Sequence, residues 1–369
     1  MDENKEKVPQ ILEEETKTEP QPPKPKRLWL NILVVFVVLG ILIYIVFRLT
    51  GDINAVMDNI KNANVWYLIL AVVGVLVFSL LNSFSGHAIF IFSESKINFA
   101  NSLLIQNMEM FWNGITPFSS GAAPIQGYYY VKSGADSDKT TSVMLSSFII
   151  YQMVMIVTSL VVVIVFRNDI GLALATKNVG WYFILIGFSI NAVVFFFSIF
   201  FSFSPATSKL FNGLIMVVCK IKPLRKKKDK WLSKATSFTS RFQNSLKFIF
   251  KRKRVFFVGA GLKIASFFVY YLIPVIVILS LGYNIDSAYQ VFYIMGSVLL
   301  ASSTMMWVPL PGASGGTETA FVILLSLPLL MLNDTSIFAI MLLWRFITYY
   351  FGMLYGGINY LILKRRLKS

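Results

Sequence analysis

The fold of this chain depends on two interrupted stretches of sequence: Thr116-Pro117-Phe118-Ser119-Ser120-Gly121 and Pro309-Leu310-Pro311-Gly312-Ala313-Ser314-Gly315-Gly316. Each lies in the middle of an otherwise apolar segment, 101–132 or 289–332. Proline removes a backbone donor and glycine weakens a helix, so neither segment is expected to be one continuous helix. Each half is too short to cross about 30 Å of hydrocarbon. We therefore predict two re-entrant or broken helical hairpins, which membranes tolerate where irregular backbone is buried in protein or lines a cavity.

The rest of the chain is strongly apolar. Of its 369 residues 56% are hydrophobic and only 14% are charged, against roughly a quarter charged in soluble domains. The apolar runs lack the alternation of barrel strands, so the predicted fold is an all-α membrane protein, a polytopic helical bundle. Six full spans are predicted, at residues 28–49, 66–92, 143–166, 180–203, 255–281 and 337–363.

The positive charge predicts the orientation. Residues 204–254 hold fifteen lysines and arginines against the single Asp229, and basic segments near span ends stay in the cytoplasm. We expect a multi-pass protein of the cell membrane with both termini cytoplasmic and an external loop at 167–178. The hairpin at 101–132 would then enter from the cytoplasm and that at 289–332 from outside. Such an inverted repeat is typical of transporters with a central site.

Charge and hydropathy together predict that the chain has five parts. They are a disordered cytoplasmic tail (1–27), an N-terminal membrane half (28–203), a basic linker (204–254), a C-terminal membrane half (255–363) and a basic tail (364–369). In the linker, apolar residues recur at helical spacing from Trp231, which predicts an amphipathic helix on the inner leaflet. Anionic lipid headgroups are its expected partners, and nucleic acid is not.

Several kinds of chemistry are excluded. His87 is the only histidine and Cys219 the only cysteine, so no zinc or haem site and no Cys–His nucleophile is expected. A packing role is favoured for His87 over a proton relay. No phosphate-binding P-loop sequence occurs. We predict no metal, no cofactor and no catalytic residue.

Ionisable residues inside apolar segments are costly and point to function. Four stand out: Glu109, Lys263, Glu318 and Arg345. Lys263 could reach the cytoplasm by snorkelling, whereas Arg345 has no such escape. We predict that Arg345 pairs with Glu318, either as part of a headgroup site or as a structural brace.

The glycines of the two turns allow two interpretations. They can let helices approach closely, or expose N–H groups that bind phosphate at half-helix N-termini. The stretches from Pro117 to Gln126 and from Pro309 to Glu318 also share one spacing. The predicted substrate-binding residues are Asn113, Thr116, Pro117, Gly121, Gln126, Pro311, Gly315, Gly316, Glu318 and Arg345, with Glu109 and Lys263 as secondary candidates.

These residues carry a family resemblance. The stretch from Asn113 to Lys132, Pro309-Leu-Pro-Gly-Ala-Ser-Gly-Gly-Thr-Glu318, and Trp344-Arg345-Phe-Ile-Thr-Tyr-Tyr-Phe-Gly352 resemble signatures of the lysylphosphatidylglycerol synthase transmembrane-region (flippase-like) family. One departure is Gly121-Ala-Ala123, where many relatives have a second glycine and a glutamine or glutamate.

The resemblance implies a lipid flippase. The substrates it implies are aminoacyl-phosphatidylglycerol, glycolipids or polyprenyl-linked sugars, and it links the chain to lipid transport and antibiotic resistance. Full-length members add an aminoacyltransferase domain. This chain is expected to be a stand-alone member without it, so lysyl transfer from tRNA is not expected.

Two other functions remain open. One is a membrane-embedded lipid transferase or synthase, for which only Glu109 or Glu318 could serve as a base. The other is a non-transporting scaffold for a partner lipid synthase. A homodimer would be unsurprising in this family.

Overall fold

A computed structural model of the chain describes residues 53–92, 97–203 and 252–367, and the isolated positions 33, 37, 40, 213, 216, 232 and 233. Within these ranges the chain is helical and contains no strand. The α-helices are α1 (Ile53–Lys61), α2 (Val65–Phe92), α3 (Phe99–Asn107), α4 (Glu109–Gly114), α5 (Ala122–Lys132), α6 (Ser137–Val165), α7 (Arg167–Thr176), α8 (Tyr182–Phe203), α9 (Lys253–Ser280), α10 (Ala288–Met305), α11 (Gly316–Leu325), α12 (Asp334–Arg345) and α13 (Gly352–Arg366). Short 3-10 turns lie at Pro117–Ser119, Pro311–Ala313 and Pro328–Leu330, and a π-helical turn, Phe346–Phe351, joins α12 to α13.

Four helices of the described chain are long and apolar enough to cross a membrane. They are α2, α6, α9 and the continuous helix from α12 to α13, and they coincide with four of the six predicted spans. Helix α8 lies where a fifth was predicted, with a shorter apolar stretch at Tyr182–Phe197. These helices confirm an all-α, multi-pass membrane protein. The predicted span at 28–49 and the predicted amphipathic helix of the linker lie outside the described residues, except for the isolated positions given above.

Most of the segment 167–178, predicted as an external loop, forms helix α7. Its residues Ile170, Ala173 and Leu174 are buried. They belong to a hydrophobic cluster that includes Tyr293 on α10 and Leu324 on α11. The segment is helical because this apolar face packs against the second hairpin, which charge counting does not detect.

The two central spans, α2 and α9, pack closely along their length. Small residues allow this approach, as is common between membrane helices. A Cβ atom at Gly74 would lie 3.2 Å from Ile273 on α9. Near the other end, the Ser85 hydroxyl donates to the Gly259 carbonyl over 3.0 Å. Helix α2 also packs against α3, the first arm of the first hairpin.

The two predicted hairpins are broken helices, and their turns share one backbone conformation. Phe118 has φ 57° and ψ 18°, and Gly312, at the matching place, has φ 61° and ψ 20°. The next residues, Ser119 and Ala313, also have positive φ, at 49° and 52°. Each turn begins with a proline at the first position of the 3-10 helix, which suits its fixed φ.

The two turns pack against each other. Two segments that are distant in sequence therefore meet tip to tip. Pro117 is structurally equivalent to Pro311, since both open the 3-10 turn. The equal spacing of Pro117–Gln126 and Pro309–Glu318 therefore does not join structurally equivalent prolines, because the second turn starts at Pro311.

Candidate functional site

Glu318 lies in the first turn of α11, directly after the second hairpin turn. Its Oε2 accepts a hydrogen bond of 2.7 Å from the backbone N–H of Gly315, which precedes the helix. A carboxylate at a helix N-terminus satisfies an unpaired donor and interacts favourably with the helix dipole. The side chain is almost completely buried, so one of its oxygens is committed to holding its own helix.

The second oxygen of Glu318 faces Arg345, the last residue of α12. Arg345 Nε lies 2.7 Å from Glu318 Oε1. This contact is an ion pair rather than an aligned hydrogen bond, since Nε has no hydrogen-bond acceptor. The guanidinium also lies 3.5 Å from the Gly312 carbonyl and 5.0 Å from the Trp344 ring centre. Arg345 and Glu318 therefore do lie together, and they tie the last span to the second hairpin.

Tyr349 joins this pair to the first hairpin. Its hydroxyl donates to the Gly114 carbonyl over 2.7 Å, and the Arg345 guanidinium lies 5.4 Å from its ring centre. The ring lies so close to Gly312 that a Cβ there would be 2.2 Å from a ring carbon. Tyr349 was missed by sequence reasoning, although it lies within the Trp344–Gly352 signature.

Asn113 performs in the first hairpin the role that Glu318 has in the second. Its Oδ1 accepts from the Ala122 N–H over 3.1 Å and so holds the start of α5. Its Nδ2 donates to Glu109 Oε1 over 3.2 Å. In the second hairpin the Glu318 carboxylate binds the helix N-terminus directly. In the first hairpin the Asn113 amide stands between the helix N-terminus and the Glu109 carboxylate.

Thr116 closes the first turn. Its hydroxyl donates to the Trp112 carbonyl over 2.7 Å and accepts from the Gly121 N–H over 2.9 Å. A Cβ at Gly121 would lie 2.5 Å from the Thr116 methyl. Thr116 and Gly121 therefore stabilise the turn. The glycine is needed here because the chain approaches Thr116 closely, which is the first of the two interpretations given for the turn glycines.

The remaining predicted residues also have structural contacts. Gln126 is buried, and its amide donates to the Ile105 carbonyl over 3.1 Å, across the arms of its hairpin. Pro117 is exposed and Pro311 buried. Gly315 needs its φ of +85°, and a Cβ at Gly316 would lie 2.7 Å from a methyl group of Val308.

Lys263 on α9 does not reach a carboxylate. Its ammonium donates to Asn82 Oδ1 on α2 and lies 5.7 Å from the ring centre of Tyr151. No ion pair forms between Lys263 and Glu109 within 4.0 Å. The structure thus does not pair the two secondary candidates.

A buried amide, Asn107, was also missed. Its Oδ1 accepts from Ser79 over 2.6 Å and from Ser83 over 3.0 Å, and its Nδ2 donates to Tyr355 over 3.0 Å. Asn359 lies 3.4 Å from the same nitrogen. Two pairs of polar residues, Ser79 with Ser83 and Tyr355 with Asn359, stand four positions apart inside apolar spans. That spacing could have indicated a buried polar network from the sequence. This network fixes the first hairpin between α2 and α13.

The arrangement can stabilise charge at the point where the two hairpins meet. The Glu318–Arg345 pair is dry, at 4% and 8% exposure. A charged ligand could therefore not reach the pair without a rearrangement of the residues around it. Within the described ranges no group of three or more histidine, cysteine, aspartate or glutamate residues could hold a metal ion.

The comparisons with known proteins agree with this architecture. The family model described as Lysylphosphatidylglycerol synthase TM region matches residues 29–356, which include both hairpins and most of the last span. A search among curated proteins finds no match. With nearly its whole length matched, the chain belongs to the lysylphosphatidylglycerol synthase TM region family, whose members are membrane proteins linked to lipid metabolism.

Proposed function

We propose that this protein is a flippase that moves a lipid with a polar or charged headgroup between the leaflets of the cell membrane. The observation that carries the proposal is the buried Glu318–Arg345 ion pair, which lies where the two broken hairpins meet. Buried charges in a membrane bundle are expensive and mark substrate paths. A purely structural brace would be as stable, or more so, with apolar residues of similar size.

The proposed path runs between the two turns. A headgroup that crosses hydrocarbon needs partners for its charges, and the turn residues supply carbonyls, hydroxyls and the ion pair. The predicted binding residues that would contact it are Asn113, Thr116, Pro117, Gly121, Gln126, Pro311, Gly315, Gly316, Glu318 and Arg345. The acyl chains would stay in the bilayer, beside large apolar side chains that face outward, such as Phe196 and Leu354, each 64% exposed.

In the state seen here the path is closed, since the turns touch and the pair is dry. Transport would require the hairpins to separate and Arg345 to exchange Glu318 for an anionic headgroup. Arg345 could accept such a partner because a guanidinium binds phosphates as well as carboxylates, often through two parallel N–H···O bonds. We propose that the hairpins enter from opposite faces, so that separation on either side gives alternating access.

Both termini would lie in the cytoplasm, and the basic linker would concentrate anionic lipid at the inner entrance. A homodimer and a partner lipid synthase are further expectations.

A leaflet-resolved assay tests the function. Purified protein is reconstituted into liposomes that contain acyl-labelled fluorescent lipids, and dithionite bleaches the label that reaches the outer leaflet. We expect protein-dependent bleaching beyond the half that is initially accessible. Glu318→Gln and Arg345→Met should slow it at least tenfold, about 1.4 kcal/mol in the barrier.

The matched control is Asp334→Asn, which removes a carboxylate from an exposed ion pair with Lys177 and should leave the rate unchanged. Unchanged bleaching in Glu318→Gln and Arg345→Met would remove the pair from the mechanism. No protein-dependent bleaching of any lipid, together with product formed from a lipid and an acyl donor, would favour a transferase instead.

A further inference from the structure

The last span is not a regular α-helix. Its middle, Phe346–Phe351, is a π-helical turn between α12 and α13. In such a turn each N–H group bonds five residues back instead of four, so the turn holds about one residue more than an α-helix of the same angular length. The Thr348 hydroxyl donates to the Trp344 carbonyl over 2.7 Å at its start, and side-chain bonds of this kind often bend helices. Turns with this bonding are rare and lie frequently at functional sites.

The part of the last span before the turn is joined to the second hairpin. The Trp344 ring is stacked on Phe321 of α11, with ring centres 4.8 Å apart and an angle of 18° between the planes. The next residue, Arg345, is paired with Glu318 of the same helix. All four side chains are buried. Helices α11 and α12 therefore form one packed unit that ends where the π-helical turn begins.

The part after the turn is joined to the first hairpin. Asn107, at the end of α3, donates to the Tyr355 hydroxyl over 3.0 Å. Gly356 approaches the hairpin so closely that a Cβ there would lie 2.7 Å from the Phe111 nitrogen and 2.8 Å from the Asn107 carbonyl oxygen. Helix α13 therefore forms a second packed unit with α3 and α4. The boundary between the two units falls at the π-helical turn.

We propose that the π-helical turn is the hinge that couples the two hairpins. Its conversion to α-helix rotates α12 against α13 by about 100°, the angular step of one residue. Arg345 lies directly before the turn and Tyr349 lies within it. One rotation therefore withdraws Arg345 from Glu318 and Tyr349 from the Gly114 carbonyl together.

This kind of hinge suits a membrane. In the conversion each N–H group exchanges one carbonyl of its own helix for the next, so the helix is never opened. A break in the helix would instead leave unpaired backbone groups in hydrocarbon, at a cost of several kcal/mol each. The conversion thus allows the two packed units to move without exposing the backbone of the last span to lipid.

The inference serves the proposed separation of the hairpins, but its test measures movement and not transport, so it can succeed or fail independently of the dithionite assay. Hydrogen–deuterium exchange is followed in α4 and α11 of the full chain in lipid nanodiscs. We expect Glu318→Gln to speed exchange in α4 about fivefold, the ratio that corresponds to one lost hydrogen bond, although α4 lies in the other hairpin. Tyr349→Phe should speed exchange in α11 by a similar factor, because coupling between two sites is reciprocal.

Tyr293→Phe is the matched control for the second hairpin. The Tyr293 hydroxyl donates to the Leu324 carbonyl of α11 over 2.7 Å, and neither residue belongs to the last span. We expect this variant to loosen α11 without acting on the turn, and exchange in α4 should stay as in the unaltered protein.

A pair of deletions tests the turn itself. Phe346 and Leu354 are each 64% exposed, but Phe346 lies in the π-helical turn and Leu354 in the regular helix α13. Removing Phe346 takes out the extra residue, so the last span becomes a continuous α-helix with α12 and α13 near their present orientation. Removing Leu354 rotates everything after it by about 100°. We expect only the protein without Phe346 to fold in normal yield, and in it Glu318→Gln should no longer affect α4.

Four results would overturn the proposal. They are unchanged exchange in α4 of the Glu318→Gln protein, an equal effect on α4 from Tyr293→Phe, an effect of Glu318→Gln that persists in folded protein without Phe346, and equal loss of folded protein from the two deletions. The first two use substitutions alone, so they decide the matter even when a deletion does not fold.

Discussion

Arg345 Nε lies 2.7 Å from Glu318 Oε1, and this ion pair connects the end of α12 to the first turn of α11. Because both side chains are buried, removing one partner leaves an uncompensated charge. We expect Glu318→Gln or Arg345→Met alone to lower the free energy of unfolding by about 3–5 kcal/mol. The double variant Glu318→Gln/Arg345→Met should lose much less than the sum. Thermal unfolding in detergent measures this, and strictly additive losses would contradict a direct pairing.

Phe118 occupies a left-handed conformation with its side chain 52% exposed. A non-glycine residue costs about 1–2 kcal/mol there, while glycine costs more to order from the unfolded chain. We expect Phe118→Gly to raise stability by up to about 1 kcal/mol, because the equivalent Gly312 adopts the same φ and ψ. Phe118→Ala, which keeps the strain, is the control. A fall in melting temperature for the glycine variant would show that the Phe118 ring contributes packing at the meeting of the turns.

Gly312 meets the Tyr349 ring where the second turn crosses the last span. A Cβ there would lie 2.2 Å from a ring carbon, so Gly312→Ala should destabilise the protein by at least about 2 kcal/mol. Gly261→Ala on α9 is the control, since nothing lies within 4 Å of its Cβ position and alanine favours a helix. Adding Tyr349→Leu should recover part of the loss. Equal melting temperatures for Gly312→Ala and Gly261→Ala would refute the close contact.

The Tyr349 hydroxyl links the last span to the first hairpin through the Gly114 carbonyl. We expect Tyr349→Phe to cost about 1 kcal/mol and to speed hydrogen–deuterium exchange in α4. Tyr350→Phe is the control, because the Tyr350 hydroxyl makes no hydrogen bond within the described ranges. If exchange in α4 is the same in both variants, the hydroxyl does not hold the hairpin.

Asn113 holds both the start of α5 and the Glu109 carboxylate. Asn113→Ala should cost about 1 kcal/mol, the usual effect of losing a helix cap. Asn113→Asp keeps the acceptor for the Ala122 N–H, but it removes the donor and sets a second negative charge against Glu109. We therefore expect Asn113→Asp to be the less stable variant at neutral pH, and melting curves of the two proteins decide the order.

The broken hairpins could be foreseen from sequence because their cause is local. Proline and glycine interrupt helices wherever they stand, and the lengths of the flanking apolar runs exclude full spans. The pairing of Arg345 with Glu318 was also foreseeable, since two opposite charges in apolar surroundings have few other ways to be compensated. By contrast, α7 was missed because its helix depends on an apolar face that another hairpin covers.

The sequence by itself determined that this is a helical membrane protein with two interrupted segments, because hydropathy and backbone chemistry act along the chain. Only the tertiary structure decided that Tyr349 joins the two turns, that Asn107 holds the first hairpin, and that Glu109 and Lys263 form no ion pair. Those outcomes depend on distances of a few ångströms between residues far apart in sequence, and such distances are set by how whole helices pack.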